Sequence, residues 1–223
     1  MANMKPLPIL AILGGTGKEG PGLALRWAAG GYKVIIGSRQ TEKAQVTATE
    51  LNQELGINTI TGMQNSDAIH NADICVLTVV QSAHQAILEN LRDELQGKIL
   101  VDTTARVDFR YPKLPEPPSA GRIAQDVLGS GVRVVTAFQT VPAHALRKNL
   151  GQSLDLDVLV CADDEQAWQE VIKLAKAIGF KAYFAGNLDN AIVVEGLTSI
   201  LISLNKQHGV KTASIGIAGI DSQ

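Results

Sequence analysis

Ile9-Leu10-Ala11-Ile12-Leu13-Gly14-Gly15-Thr16-Gly17-Lys18-Glu19-Gly20 is an apolar run of strand type that stops on glycines and feeds a helix-like segment, Pro21 to Ala29. Within it, Gly15, Gly17 and Gly20 have the spacing G-x-G-x-x-G, the turn on which a parallel sheet holds a dinucleotide. The first glycine is expected to permit a tight turn and the second to let the backbone approach a pyrophosphate. The third lets the helix pack close to the strand. Helix N-terminal amides and the helix dipole would then stabilise the phosphate charge. In a chain with 21 glycines the competing reading is a glycine-rich surface turn, and the strand-before, helix-after context argues against it.

The flanking chain repeats the pattern. Leu23, Leu25, Trp27 and Ala28 give the first helix an apolar face, Pro21 falls in its first turn, and Gly30-Gly31 ends it. Tyr32 to Gly37 reads as a second strand and Thr41 to Leu55 as a helix stopped by Gly56. So the first 56 residues read βαβα, the opening of a doubly wound parallel sheet. Further strands are predicted at Ile57–Thr61, Asp73–Val80, Lys98–Thr103 and Val132–Phe138. A short helix or turn is expected at Asn65–Asn71, and helices at Ala83–Leu95 behind Ser82 as cap and at Ala120–Leu128 behind Ser119. Between them, Arg106 to Ser119 holds four prolines and reads as a loop at the carboxyl edge of the sheet, either substrate-facing or a plain surface excursion.

The residues after the second strand speak to cofactor choice. Strand-end carboxylates bind the ribose hydroxyls of NAD, whereas cations accommodate the 2′-phosphate of NADP. Here Gly37 is followed by Ser38, Arg39 and, one helical turn on, Lys43, which suits a phosphate dianion. Glu42, the nearest acid, is expected to face away. A solvated helix start is the plainer alternative for Arg39 and Lys43. The carboxyl end of the fourth strand, Thr78 to Gln81, should abut the dinucleotide. His84 either touches cofactor or is a polar first-turn residue.

Gln139 to Ala143 reads as a domain boundary, giving a nucleotide-binding domain over 1–142 and a smaller α/β domain over 143–223 that closes the acceptor cleft. The latter has strands at Asp157–Ala162 and Phe180–Ala185 and helices at Asp164–Ile178 and about Leu188–Gln207. The last helix and the tail Ile215–Ile220 could form a dimer contact or ordinary core.

Bulk properties narrow the class. The 223 residues are 45% hydrophobic and 19% charged, as in a soluble globular protein. A net charge of −2 and an aromatic content of 4% argue against nucleic acid and anionic membranes as partners. Cys75 and Cys161 lie in apolar runs and read as small buried hydrophobes. The start, Met1 to Pro6, lacks a secretory signal, which makes the cytoplasm the expected compartment. Metal-site spacing is missing, as are G-x-S-x-G and the Tyr-x-x-x-Lys pair of short-chain dehydrogenases. An acceptor that takes a hydride without a protein acid, a flavin or deazaflavin, fits this gap.

Taken together, Leu13-Gly-Gly-Thr-Gly-Lys-Glu-Gly20, Gly22 to Arg26, Gly37-Ser-Arg39 with Glu42-Lys43-Ala44, Thr61 to Met63 with Asn65, Asp73 to Thr78, Thr140 to Ala143, and Glu195 with Leu197-Thr198 resemble the F420-dependent NADP reductases. The resemblance spans nearly the whole chain. It implies a Rossmann domain with a small C-terminal domain, usually as a homodimer. NADP would lie over Gly15, Thr16, Gly17, Lys18, Glu19 and Gly20, with its 2′-phosphate on Ser38, Arg39 and Lys43. The nicotinamide would sit near Thr78, Val79, Val80, Gln81, Ala105 and Ala143. The deazaflavin coenzyme F420 would stack in a cleft edged by Gln139, Val141 and Pro142, receiving hydride by positioning rather than through a protein acid or base. The chain departs from the family at Val80-Gln81, at Gln139 and in the length of the proline loop, all on the acceptor side. A soluble NADPH-dependent flavin or ferric reductase, akin to the nucleotide domain of the STEAP ferric reductases, is the runner-up, and a non-catalytic NADP(H)-binding sensor is a third reading.

Overall fold

The computed structural model describes residues 6–220. Met1 to Lys5, the start read for a signal, and the last three residues of the expected second domain lie outside them. The elements in chain order are β1 (Leu10–Leu13), α1 (Gly20–Ala29), β2 (Val34–Ser38), α2 (Thr41–Leu55), β3 (Ile60–Gln64), α3 (Asn65–His70), β4 (Ile74–Leu77) and α4 (Gln81–Asn90). They continue with β5 (Ile99–Asp102), α5 (Ala120–Leu128), β6 (Arg133–Thr136), α6 (Ala143–Leu146), β7 (Asp157–Ala162), α7 (Glu165–Ala177), β8 (Lys181–Phe184), a 3₁₀ turn (Leu188–Asn190) and α8 (Ala191–His208).

Strand order is β3-β2-β1-β4-β5-β6-β7-β8. The first six strands are parallel and have the order of the dinucleotide-binding sheet. β7 joins β6 antiparallel, through Val135 with Ala162 and Thr136 with Cys161, and β8 runs parallel to β7. The sheet is therefore continuous across the expected boundary near Pro142. Every residue of β1, β4 and β5 is buried, as central strands covered on both faces must be. One apolar layer forms under α1, α2 and α7 around Trp27, Phe138 and Leu146, and the other under α3, α4 and α5 around Leu77, Leu88 and Leu100.

α1 ties the two halves of the chain together. Arg26 is 3% exposed, and its guanidinium donates to the carbonyls of Ile178 (3.1 Å) and Lys148, while Trp27 Nε1 donates to Leu174 O at 3.1 Å. Phe138, with φ of 72°, sits edge-on to Trp27 and Phe180 at centroid distances of 5.8 and 6.0 Å. A left-handed conformation is unfavourable for an aromatic residue. The packing holds it, and the chain is thereby turned so that Gln139 Nε2 donates to Asp102 O at 3.1 Å.

Several local readings need correction. The left-handed residue of the glycine turn is Gly14 (φ 67°), one position before the motif, so Gly14 rather than Gly15 supplies the tight turn. β3 begins at Ile60, three residues later than expected, because the Asn52 side chain exchanges hydrogen bonds with the Ile60 backbone at 2.7 and 3.1 Å and sets that start. Ser82 does not cap α4: β4 ends at Leu77 where its partners β1 and β5 end, and the helix starts one residue before Ser82. Ser119 does cap α5, its Oγ accepting from Arg122 N at 3.1 Å.

The third glycine has the role expected of it. A Cβ on Gly20 would lie 2.7 Å from Gly15 Cα and 2.8 Å from Gly15 O, which are backbone atoms with no rotamer to yield. Gly20→Ala should cost about 1–3 kcal/mol of stability in urea unfolding, the scale of an overpacked site. The control is Gly216→Ala, where a Cβ would meet nothing within 4 Å, and no change is expected there.

Candidate functional site

The glycine turn lies at the carboxyl ends of β1 and β4, where the chain leaves the sheet in opposite directions. The Gly14 amide donates to Asn65 Oδ1 at 3.3 Å and the Gly15 amide to Gly37 O at 2.9 Å, which fastens the turn to β2 and α3. Asn65 is buried, and the sequence showed it only as part of a family pattern. Gly17 and Lys18 are exposed. A Cβ on Gly17 would find only Gly14 O at 3.7 Å and Thr78 O at 3.8 Å. No protein atom requires glycine there, so the open face of the turn fits a ligand that approaches the backbone.

Beside the turn, a depression of about 380 Å³ is lined by Thr16, Glu42, Lys43, Val46 and Thr47. Thus Glu42 does not face away. Residues 42, 43, 46 and 47 share one stripe of α2, and the helical repeat places the acid with Lys43. Ser38 is buried, with its Oγ accepting from Gln40 N at 3.2 Å. Arg39 and Lys43 are exposed, and neither side chain forms an ion pair or hydrogen bond among the described residues. Two uncommitted cations beside an open glycine turn fit a phosphate.

On the other side, Val80 and Gln81 are exposed, Val79 and Ala105 are half-buried, and Thr78 is buried with its hydroxyl donating to Leu13 O at 3.3 Å. Gln81 lines a second cavity, of about 480 Å³, with Arg106, Asp108, Tyr111, Lys113, Leu114, Pro115 and Glu116. The proline loop forms most of this wall. It is tied back by Ser199 Oγ donating to Lys113 O (2.6 Å), by Lys206 Nζ donating to Arg110 O (2.7 Å), and by the Arg106 guanidinium donating to the carbonyls of Glu116 and Pro118. Pro142 and Ala143 are half-buried at the start of α6. Val141 is buried against the α1 side of the core, and Gln139 is buried with Oε1 unpartnered.

Behind these residues, four titratable side chains gather at the carboxyl end of β5. His84 Nε2 lies 2.6 Å from Asp102 Oδ2, both buried, while Asp102 Oδ1 accepts from Thr104 N at 3.0 Å. Glu195, with no exposed surface, accepts from Ala120 N (2.7 Å) and Arg106 N (3.1 Å). Burial pushes its carboxyl up to about 7, against the lowering by those two amides. Glu19, the residue before Gly20, places its carboxyl Oε2 3.2 Å from Thr103 Oγ1. Burial pushes that carboxyl up to about 8, and the nearby Asp102 adds to the rise while Thr103 opposes it. Spacing gave no sign of this group, since its members come from positions 19, 84, 102 and 195. Among the described residues no group of His, Cys, Asp and Glu could hold a metal ion.

For His84, burial disfavours the cation, but the hydrogen bond and charge of Asp102 outweigh it and the ring pKa is raised. A raised histidine contributes stability that is complete below its unfolded value, 6.5, and is lost as pH rises through the folded value. His84→Gln should therefore cost about 1–3 kcal/mol near pH 5.5, the range for a hydrogen bond to a charged group. It should cost distinctly less near pH 9. Urea unfolding of both proteins at the two pH values checks this; equal costs would mean that the pair carries no charge.

Similarity to known proteins covers nearly the whole chain. Residues 9–106 match the family model described as NADP oxidoreductase coenzyme F420-dependent. The F420-dependent NADP reductase of Methanothermobacter thermautotrophicus is 38% identical over 224 residues, covering 96% of each chain. A solved structure from Arthrobacter sp. FB24, provisionally assigned the same activity, superposes with a TM-score of 0.81 at 26% identity over 96% of this chain and 100% of that one. The human metalloreductase STEAP2 is 28% identical over 193 residues, which cover 85% of this chain and 36% of that protein. On the whole-length match, the chain belongs to the F420-dependent NADP reductase family.

Proposed function

We propose that the protein transfers a hydride between NADP(H) and the deazaflavin coenzyme F420. The observation that carries this reading is the match to the archaeal reductase along 96% of both chains, which takes in the acceptor side as well as the nucleotide fold. The flavin or ferric alternative is not favoured, because the metalloreductase match is weaker and spans only about a third of that protein.

When bound, NADPH supplies the hydride and F420 accepts it. The chain's own contribution is to bind, orient and exclude. The backbone amides of Thr16, Gly17, Lys18 and Glu19 and the N-terminus of α1 would hold the pyrophosphate. Arg39 and Lys43, with Ser38, would bind the 2′-phosphate, and Glu42 beside them would disfavour any more diffuse accumulation of anions. Thr78, Val79, Val80, Gln81, His84, Ala105 and Ala143 would border the nicotinamide, and Gln139, Val141 and Pro142 the acceptor. His84 and Gln139 act from behind this surface, because Asp102 already engages both. Positioning of two rings face to face is the rate enhancement that such a site offers.

We also infer that residues 143–223 form the half that closes the acceptor cleft over the nucleotide half, 1–142, and that the active form is a homodimer. The support is the outer face of α8, where Val193, Ile200 and Leu204 are exposed at helical spacing. α8 with its preceding turn, Leu188–His208, is long and apolar enough to span a membrane. A core role fits it better, because Glu195 at its middle is fully buried against backbone amides. A cytoplasmic location, with Cys75 and Cys161 both free and buried, completes the reading.

Mixing the protein with NADPH and F420 should bleach the deazaflavin absorbance, and no change at high enzyme concentration would overturn the assignment. Arg39→Ala should weaken NADPH binding by about 1–3 kcal/mol and leave NADH nearly unaffected. Equal losses in titrations with the two nucleotides would show that Arg39 does not read the 2′-phosphate.

A further inference from the structure

Glu19 is the one acidic side chain within the glycine turn, and its setting is unusual for a carboxylate beside a phosphate site. The residue as a whole is part-exposed, yet the carboxyl is enclosed and Oε1 has no partner. Its other oxygen faces Thr103 Oγ1 at 3.2 Å, and that hydroxyl is also 3.1 Å from Leu77 O. A threonine hydroxyl has one proton to give. If Glu19 were ionised, Thr103 would have to choose between two acceptors. The hydroxyl lies within reach of both, so its one proton is divided between Glu19 Oε2 and Leu77 O, and the Glu19 carboxyl has at most a shared, long hydrogen bond on one oxygen and none on the other. An enclosed carboxyl with one orphan oxygen and one shared hydroxyl is poorly equipped to hold a negative charge, and burial accordingly favours its neutral form.

The surroundings supply no cation to reverse this. Asp102 at the end of β5 is the charged group that acts on Glu19, and it raises the pKa. His84 of α4 is committed to Asp102, Glu195 of α8 to two amides, and Arg106 to the loop carbonyls. Lys18, next in sequence, is exposed.

We propose that Glu19 is a positioning residue that reads the oxidation state of the nicotinamide, staying protonated under the neutral dihydro form and losing its proton when the cationic oxidised form binds. This rests on the functional reading above, which puts the nicotinamide at the carboxyl ends of β4 and β5, where the Glu19 carboxyl lies. In the step itself the Glu19 O–H bond breaks, its electron pair stays on the carboxylate, and the proton leaves to solvent; no electrons are transferred. A positive ring nearby lowers a carboxyl pKa, and the same coupling makes the carboxylate favour the positive ring. The reduced nucleotide offers no such gain. Reduction of F420 from NADPH consumes one proton with the hydride, so a proton released as the oxidised nucleotide forms has the sign that this stoichiometry requires.

The experiment is titration calorimetry of NADP+ and of NADPH near pH 7 in two buffers of different ionisation enthalpy, on the full chain and on Glu19→Gln. Glutamine mimics the neutral acid in shape and cannot lose a proton. The wild type should release more protons with NADP+ than with NADPH, a comparison in which the shared 2′-phosphate cancels. Glu19→Gln should abolish that difference. It should weaken NADP+ about tenfold more than it weakens NADPH, the ratio that one unit of coupled pKa change represents. An infrared difference spectrum of the wild type should show loss of a protonated-carboxyl band on adding NADP+, a readout that does not depend on the variant folding. Equal proton release with both nucleotides, or an unchanged band, would overturn the proposal while leaving the reductase assignment standing. Failure of the wild type to bind either nucleotide would overturn both.

Discussion

The approach of α1 to the glycine turn is the constraint from which the rest of this molecule follows. Gly20, the first residue of the helix, stands so close to Gly15 that a methyl group would overlap backbone. That contact fixes where the helix N-terminus points, and hence where a phosphate can sit. It also fixes the far end of the helix, whose Arg26 and Trp27 reach carbonyls of Lys148, Leu174 and Ile178. Those carbonyls belong to the turn after α6 and to α7 and its end, the segments on either side of β7, so β7 and β8 are brought alongside β6 and extend the same sheet. A single short glycine spacing thus organises both the ligand edge and the join between the two halves of the chain.

How much of this was legible in the sequence depended on whether the signal was local. α2, α5 and β7 occur at the expected residues because each is bounded by its own chemistry: Gly56 in the left-handed region after α2, Ser119 capping α5, and Asp157 opening β7 with Asp163 after it. Strand ends were read too long at Asp73–Val80 and Val132–Phe138, since apolar side chains continue past the last ladder pair to serve as site wall or core. β3 was misplaced because it is an edge strand with Thr61 and Gln64 exposed, so burial leaves no apolar pattern on it, and a tertiary bond from Asn52 sets its start.

The site was half legible for the same reason. The glycine spacing and the Ser38–Lys43 segment are each contiguous in the chain, so each could be read directly. The buried polar layer beneath them is assembled from four separate elements. His84 and Asp102 look unrelated in the chain and meet only because β4 and β5 are neighbours whose following segments leave from one edge. Glu195 was visible as a member of a family pattern, but its role as acceptor for Ala120 and Arg106 required the fold.

That layer runs against the economy of a stable interior. Burying ionisable groups costs free energy, and pairing them only partly offsets the loss of water. The two carboxyls at Glu19 and Glu195 have responded in the way physics allows, by holding their protons more tightly, the first with a hydroxyl for partner and the second with two amides. A protein under selection for stability alone would replace such groups with apolar residues of similar volume. Their concentration at one end of β5, against a sheet that is otherwise apolar on both faces, is better explained by the edge they underlie. Groups that titrate near neutrality can exchange protons with whatever binds above them, and groups on the apolar faces of the sheet cannot. On the proposed reading, the chain has accepted local instability beside the ring whose charge changes during turnover.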